Sequence, residues 1–135
     1  SPRIHTDEQR LMRKVEANRA DIIKFEEYML EDAEIAIFAY GVSGRSAKTA
    51  VEAARAEGVK AGLFRPLTIW PFPDGQVTEL AGRVKGIVVP ELSLGQIIFE
   101  VERCAKGRCK VEGIYRVDGD PINPAQILAK VKEVK

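Results

Sequence analysis

Ile35-Ala36-Ile37-Phe38-Ala39-Tyr40-Gly41-Val42-Ser43-Gly44 decides how the chain is read. It is a short, continuous apolar run broken by a glycine-rich turn. The run, Ile35 to Tyr40, predicts a buried strand. After the turn, Ala47, Ala50, Val51 and Ala54 recur at helical spacing, which predicts a helix over about Arg45 to Glu57. Its small side chains let the helix backbone lie close on a sheet, and Gly58 stands where a left-handed C-terminal cap belongs. Val59 to Phe64 is the next predicted strand.

The unit then repeats. Asp74 is expected to cap a helix carrying Val77, Leu80, Ala81 and Val84, with Gly86 closing it and Ile87 to Val89 as a strand. A helix from about Gly95 to Ala105 buries Ile97, Ile98, Val101 and Cys104, and Lys110 to Val117 forms a strand. Asn123 as N-cap and Pro124 at the first helical position open a last helix with Ile127, Leu128, Val131 and Val134 inward. Strand and helix alternating with crossovers of this length predict an α/β fold, a largely parallel sheet covered by helices on both faces. Residues 6 to 32 read instead as helix, with Thr6 and Gln9 as a capping box and Leu11, Val15, Ile22, Phe25 and Met29 near one face interrupted by Asn18. The expected organisation is therefore a helical arm or linker over residues 1–34 and an α/β domain over 35–135.

The 135 residues suit one domain with its own core. With 45% hydrophobic and 30% charged residues and a net charge of +1, the chain lacks the basic excess of a nucleic-acid binder. No apolar run approaches the ~20 residues that span a bilayer, and no secretion signal is visible, so a cytoplasmic protein without a membrane partner is expected. Cys104 and Cys109 are the only cysteines and His5 the only histidine. A closed zinc site needs four ligands, so two reduced structural thiols are expected and no metal site. A local disulfide is the other option.

Loops at the carboxyl ends of parallel strands are where ligands and partners gather. The first, Tyr40 to Ser46, joins glycines, hydroxyls and a guanidinium at a helix start, a candidate anion site at Ser43, Gly44, Arg45 and Ser46. It is neither a dinucleotide fingerprint nor a Walker loop. The second, Arg65-Pro66-Leu67-Thr68-Ile69-Trp70-Pro71-Phe72-Pro73, is stiffened by three prolines and carries two aromatics of the kind found at interface centres. The alternative is that both rings fold onto the domain's own core. The third, Glu91 to Gln96, presents one carboxylate without a histidine, second acid or activated nucleophile beside it. Arg65, Trp70, Phe72, Glu91, Gly95 and Gln96 are the candidate interface residues, and no catalytic residue is assigned. The inventory points to a domain that binds or positions something.

Ala39-Tyr40-Gly41 with Arg45-Ser46-Ala47-Lys48, the Arg65 to Pro73 loop, Val89-Pro90-Glu91-Leu92-Ser93-Leu94-Gly95-Gln96 and Gly119-Asp120-Pro121-Ile122-Asn123-Pro124 together resemble the C-terminal domain of the α subunit of 2-oxoacid:ferredoxin oxidoreductases, the 2-oxoglutarate type above all. The resemblance spans nearly the whole chain; Ser93 departs from the Asn frequent in the family. It implies a transketolase C-terminal-like fold, a three-layer α/β/α sandwich with a mostly parallel sheet of about five strands and one antiparallel edge. It implies a parent enzyme that turns a 2-oxoacid, coenzyme A and oxidised ferredoxin into acyl-CoA, carbon dioxide and reduced ferredoxin. That enzyme uses thiamine diphosphate with magnesium and iron–sulfur clusters, none of them bound by this chain. The implied partners are the preceding domain of the same subunit, the β subunit and other subunits, and ferredoxin through the complex, with a homo-oligomer left open. The start at Ser1-Pro2-Arg3 leads us to expect a domain cut from a longer subunit, inactive alone. The other readings are an anion- or coenzyme A-binding domain using Tyr40 to Ser46, the equivalent domain of a transketolase or a 2-oxoacid dehydrogenase β subunit, and a free-standing doubly wound enzyme.

Overall fold

The computed structural model describes residues 12–16, 23–41, 43–91, 96–115 and 121–135, with backbone alone for 12–16, 43 and 91. Six strands form one mixed sheet. In chain order the elements are β1 (Met12–Glu16), β2 (Lys24–Tyr28), β3 (Ile35–Phe38), α1 (Ser43–Ala56), β4 (Ala61–Pro66), α2 (Asp74–Arg83), β5 (Gly86–Glu91), α3 (Gln96–Ala105), β6 (Lys110–Tyr115) and α4 (Pro124–Val134). The strand order is β1-β2-β4-β3-β5-β6. Neighbours from β4 through β6 are parallel, and β2 joins β4 antiparallel, with β1 antiparallel on β2.

The parallel part follows the sequence pattern closely. β3 lies at its centre and is buried at every position, as a strand covered on both faces must be. The predicted inner face of α1, Ala47, Ala50, Val51 and Ala54, has no exposed surface at all. α1 and α4 bury one face of the sheet, with Ile37, Leu63 and Val88 beneath them. α2 and α3 bury the other, over Phe38, Phe64, Ile87 and Val89. Gly58 has φ +85°, and the Val59 N–H bonds back to Ala54 while the Gly58 N–H bonds to Arg55, the two closures of a left-handed helix end. At α4 the Asn123 side chain accepts from the Gln126 N–H at 2.9 Å and Gln126 returns a bond to the Asn123 N–H.

Three expectations need correcting. The helix predicted over residues 6 to 32 is strand at 12–16 and 24–28; residues 6–11, with Thr6 and Gln9, and 17–22 lie outside the described residues. A helical stripe competes here with an open strand edge. β4 offers a row of unpaired backbone groups, and β2 satisfies them in the register Phe25↔Pro66 to Tyr28↔Leu63. Pairing places Phe25 and Tyr28 on opposite faces of the sheet, so both can be buried, at 5% and 3% exposure. The sheet thus continues across the boundary expected at residue 34. Second, Asp74 begins α2 instead of capping it. Pro73 is the N-cap and, with no polar atom in its side chain, makes no capping bond, while the Asp74 carboxylate is turned to Arg103. Third, Gly86 opens β5 and does not close α2, which ends extended at Val84. A glycine is needed there because a Cβ would collide with Val134 of α4.

The junction between the antiparallel edge and the parallel sheet is held by Arg55 at the end of α1. Its Nε donates to the Ala61 carbonyl at 2.8 Å, and its Nη2 to the Met29 carbonyl at 2.9 Å and to Asp32 at 2.7 Å. That bond to Arg55 lowers the Asp32 carboxyl below the usual range. Beside it, the Tyr28 hydroxyl donates to Glu52 at 2.6 Å and the Lys48 ammonium lies over the Tyr28 ring. Burial first, then Glu52, pushes the Tyr28 phenol up to about 12. Because the folded value exceeds the unfolded one, the stability linked to this phenol is fully present below its ordinary value of about 10 and is lost as pH rises through about 12. In a spectrophotometric alkaline titration one of the three tyrosines should ionise late, and Tyr28→Phe should delete that step. Phe64→Ala, at a ring 1% exposed, should lower unfolding free energy by about 3–5 kcal/mol in urea titration.

Candidate functional site

The carboxyl ends of β3, β4 and β5 open at one edge of the sheet, where the loops to α1, α2 and α3 begin. β3 has β4 on one side and β5 on the other, and the helices that follow β3 and β4 lie on opposite faces. This is the switch point of a doubly wound sheet.

The loop after β4 divides its two aromatics. Phe72 is 7% exposed and packs on Phe38, ring centres 5.7 Å apart, so it belongs to the domain's own core. Trp70 is 67% exposed, with its ring centre 6.4 Å from that of Phe72. The expectation of two interface rings therefore reduces to one exposed ring seated on a buried one. Pro73 is buried and Pro71 exposed, so the loop is anchored immediately after its tip. Thr68 Oγ1 and Gln76 Oε1, on the loop and the first turn of α2, are buried without a hydrogen-bond partner among the described residues. At the foot of the loop, Arg103 of α3 donates to both Asp74 oxygens, at 3.2 and 3.0 Å, and to Glu100 at 2.7 Å. These bonds favour the charged guanidinium and raise its already high pKa further, Asp74 contributing most.

At the start of α1, Gly44 is buried, Arg45 exposed and Ser46 half-buried; the side chain of Ser43 lies outside the described residues. A second arginine, which sequence reading did not place there, packs onto this turn. A Cβ on Gly44 would sit 2.6 Å from Arg65 Nε, so the glycine leaves room for that side chain. Arg65 Nη1 in turn donates to Glu26 of β2 at 3.2 Å, the cross-strand partner given by the register Glu26↔Arg65. Arg65 thus ties β2, β4 and the start of α1 together, with 37% of its side chain exposed. Nothing in a linear reading brings Glu26 beside Arg65, since the pairing depends on β2 being a strand.

Of the third loop, Gln96 is exposed at the start of α3, while the Glu91 side chain and residues 92–95, including Ser93 and Gly95, lie outside the described residues. Sequence reading missed Phe99, 65% exposed on α3; its signal was a large apolar residue off the buried stripe of Ile98, Val101 and Cys104. Cys104 is buried and Cys109 half-buried, both free, and burial pushes both thiols up, which disfavours the reactive thiolate. Among the described residues no group of His, Cys, Asp and Glu could hold a metal ion, and no helix is long and apolar enough to cross a membrane.

The described residues thus form a doubly wound α/β domain with an exposed aromatic ring at its switch-point edge. Residues 33–127 match the pyruvate:ferredoxin oxidoreductase core domain II, and the chain belongs to that family. It is 42% identical over 124 residues to the ketoisovalerate oxidoreductase subunit VorB of Methanothermobacter marburgensis, covering 92% of this chain and 35% of that protein. It is 37% identical over 127 residues to the 2-oxoglutarate synthase subunit KorA of the same organism, covering 94% of this chain and 34% of that one. The chain therefore spans about a third of the length of these relatives. A solved 2-oxoglutarate:ferredoxin oxidoreductase from Magnetococcus marinus, with 2-oxoglutarate, coenzyme A and succinyl-CoA bound, superposes with a TM-score of 0.67 at 23% identity, over 81% of this chain and 19% of that chain. A split-gene transketolase, an inactive β4 tetramer, gives the same TM-score at 18% identity, over 80% of this chain and 40% of its own. These likenesses establish the transketolase-like α/β fold.

The two aromatics should separate by experiment. Trp70→Ala should change unfolding free energy by less than about 0.5 kcal/mol, as exposed substitutions do. Phe72→Ala should cost about 3–5 kcal/mol, both read by circular dichroism during chemical denaturation.

Proposed function

We propose that this chain is the non-catalytic assembly domain of the α subunit of a thiamine-diphosphate-dependent 2-oxoacid:ferredoxin oxidoreductase. The parent enzyme oxidatively decarboxylates a 2-oxoacid to an acyl-CoA while reducing ferredoxin. The observation that carries this reading is an exposed Trp70, its ring beside the buried Phe72 on a proline-rich loop, in a chain that matches core domain II over residues 33–127. A tryptophan held out from a stiff loop loses little conformational freedom on docking, which is what an interface anchor needs.

Thiamine diphosphate, with magnesium, would supply the carbanion-stabilising chemistry of decarboxylation in the parent enzyme. Two cysteines do not fit a cluster held by four thiolates, so iron–sulfur centres belong to other parts of the complex. The partners proposed are the preceding domain of the same subunit, the β subunit, and ferredoxin by way of the assembled complex, in the cytoplasm. Relatives named for ketoisovalerate and for 2-oxoglutarate leave the acid to be assayed, with 2-oxoglutarate first. The anion-binding alternative at Ser43 to Ser46 is not favoured. The guanidinium that packs on that turn is Arg65, already turned to Glu26, while Arg45 is exposed.

The test is co-purification with the remaining portion of the α subunit and the β subunit. Trp70→Ala should leave the domain folded and weaken assembly by about thirtyfold or more, the loss typical of a truncated aromatic hot spot. Trp70 is the sole tryptophan of this chain, so a domain carrying 7-azatryptophan there has an emission separable from that of its partners' tryptophans, and that emission should shift to the blue and lose quencher access when the complex forms. Unchanged assembly and unchanged emission would overturn the reading.

A further inference from the structure

Two short basic turns lie side by side at the amino ends of the strands, where α2 and α3 end and β5 and β6 begin. Arg83 and Lys85 belong to the first, Lys106, Arg108 and Lys110 to the second, and all five are exposed. The backbone brings the turns together: the Lys110 N–H donates to the Lys85 carbonyl at 3.2 Å, and Gly86 faces Lys110 in the register of β5 and β6. Arg108 crosses between them. Its Nη2 donates to the Thr78 carbonyl of α2 at 3.1 Å, and its Nη1 lies 3.7 Å from where a Cβ on Gly82, next to Arg83, would stand. Lys85 meets Glu34 at 3.6 Å, while Arg83, Lys106 and Lys110 form no ion pair among the described residues. The neighbouring carboxylates Glu79, Glu102 and Glu112 lie a turn back along the helices or further into β6 and pair with none of the five. Cations complement a helix carboxyl end, which accounts for Arg83 and Lys106. It does not account for Lys85 and Lys110, which stand at the starts of strands.

Resting on the reading of this chain as a domain of a 2-oxoacid:ferredoxin oxidoreductase, we propose that this basic corner is where the parent enzyme docks the acidic face of its ferredoxin. Three observations select a transient, acidic protein as the occupant. None of the large apolar side chains exposed among the described residues, Met29, Tyr40, Trp70, Phe99 and Tyr115, belongs to either turn. Permanent interfaces bury apolar groups and are poor in lysine, whereas brief electron-transfer encounters are small and polar. The helices present their carboxyl ends here, whose carbonyls repel a small anion, so the cations suit a broad acidic surface better than a single phosphate. The corner also lies at the opposite edge of the sheet from Trp70, so an interface built on that ring does not cover it. Four thiolates outweigh the charge of the iron–sulfur core they hold, which makes a ferredoxin anionic about its cluster. Cations facing it steer its approach and raise the association rate.

The experiment uses the assembled oxidoreductase with its purified ferredoxin and, in parallel, a viologen dye as electron acceptor. Arg83→Glu, Lys106→Glu and Lys110→Glu combined should raise the KM for ferredoxin about tenfold or more, flatten its dependence on salt and leave dye reduction unchanged. In the unaltered enzyme a carbodiimide, which joins an amine to a carboxylate in direct contact, should link Lys85, Lys106 or Lys110 to ferredoxin, as read by mass spectrometry. Should the triple variant fail to assemble, these links decide. An unchanged KM for ferredoxin, links from these lysines to another subunit, or ferredoxin links only from lysines elsewhere would overturn the docking surface and leave the parent reading intact. An unaltered enzyme that reduces neither acceptor with any 2-oxoacid would overturn both.

Discussion

A run of stacked phenylalanines is the interaction on which the rest of the structure depends. Phe64 on β4 stacks on Phe25 of β2 at 4.9 Å and on Phe38 of β3 at 5.6 Å, and Phe38 meets Phe72 of the following loop at 5.7 Å. One side of the sheet is therefore tied, ring to ring, from the antiparallel edge across the parallel centre to the loop that carries Trp70. Offset aromatic contacts add to the area these rings bury, and their geometry constrains orientation as well as distance. Once Phe72 is drawn inward to close the stack, Trp70 two residues earlier is left exposed above it.

The opposite face is organised by charge. Arg55 binds the Ala61 and Met29 carbonyls and Asp32, and Arg65 bridges Glu26 and the start of α1, so two guanidiniums fasten β2 to the α/β unit. The Arg55 fork reaches backbone carbonyls and a carboxylate on more than one element, which a lysine's single ammonium would do less well. Together with the phenylalanine stack these contacts make the N-terminal strands part of the sheet and leave its carboxyl edge free for other work.

That edge carries the exposed ring of Trp70. Its loops lie where doubly wound folds place ligands, yet the side chains found there are an aromatic tip, an ion bridge and a paired arginine. This belongs with the family match and with a transketolase-like fold that recurs in proteins of different chemistry.

Much of this was legible in the sequence. Short apolar runs at 35–40 and 87–89, helical stripes such as Ala47, Ala50, Val51 and Ala54, and the punctuation of Gly58 and Asn123-Pro124 act locally, so a linear reading recovers the parallel sheet and its helices. The motifs of the three loops likewise carried the family. The N-terminal strands were not legible, because whether Phe25 and Tyr28 lie on a helix or a strand depends on the open edge of β4, a partner some forty residues away. The same holds for the fates of Trp70 and Phe72, for Arg65 meeting Gly44 and for Phe99. Composition marks these residues as apolar or charged, but only the packed chain, with Phe38 and Phe64 already in place, decides which ring is covered and which guanidinium is paired.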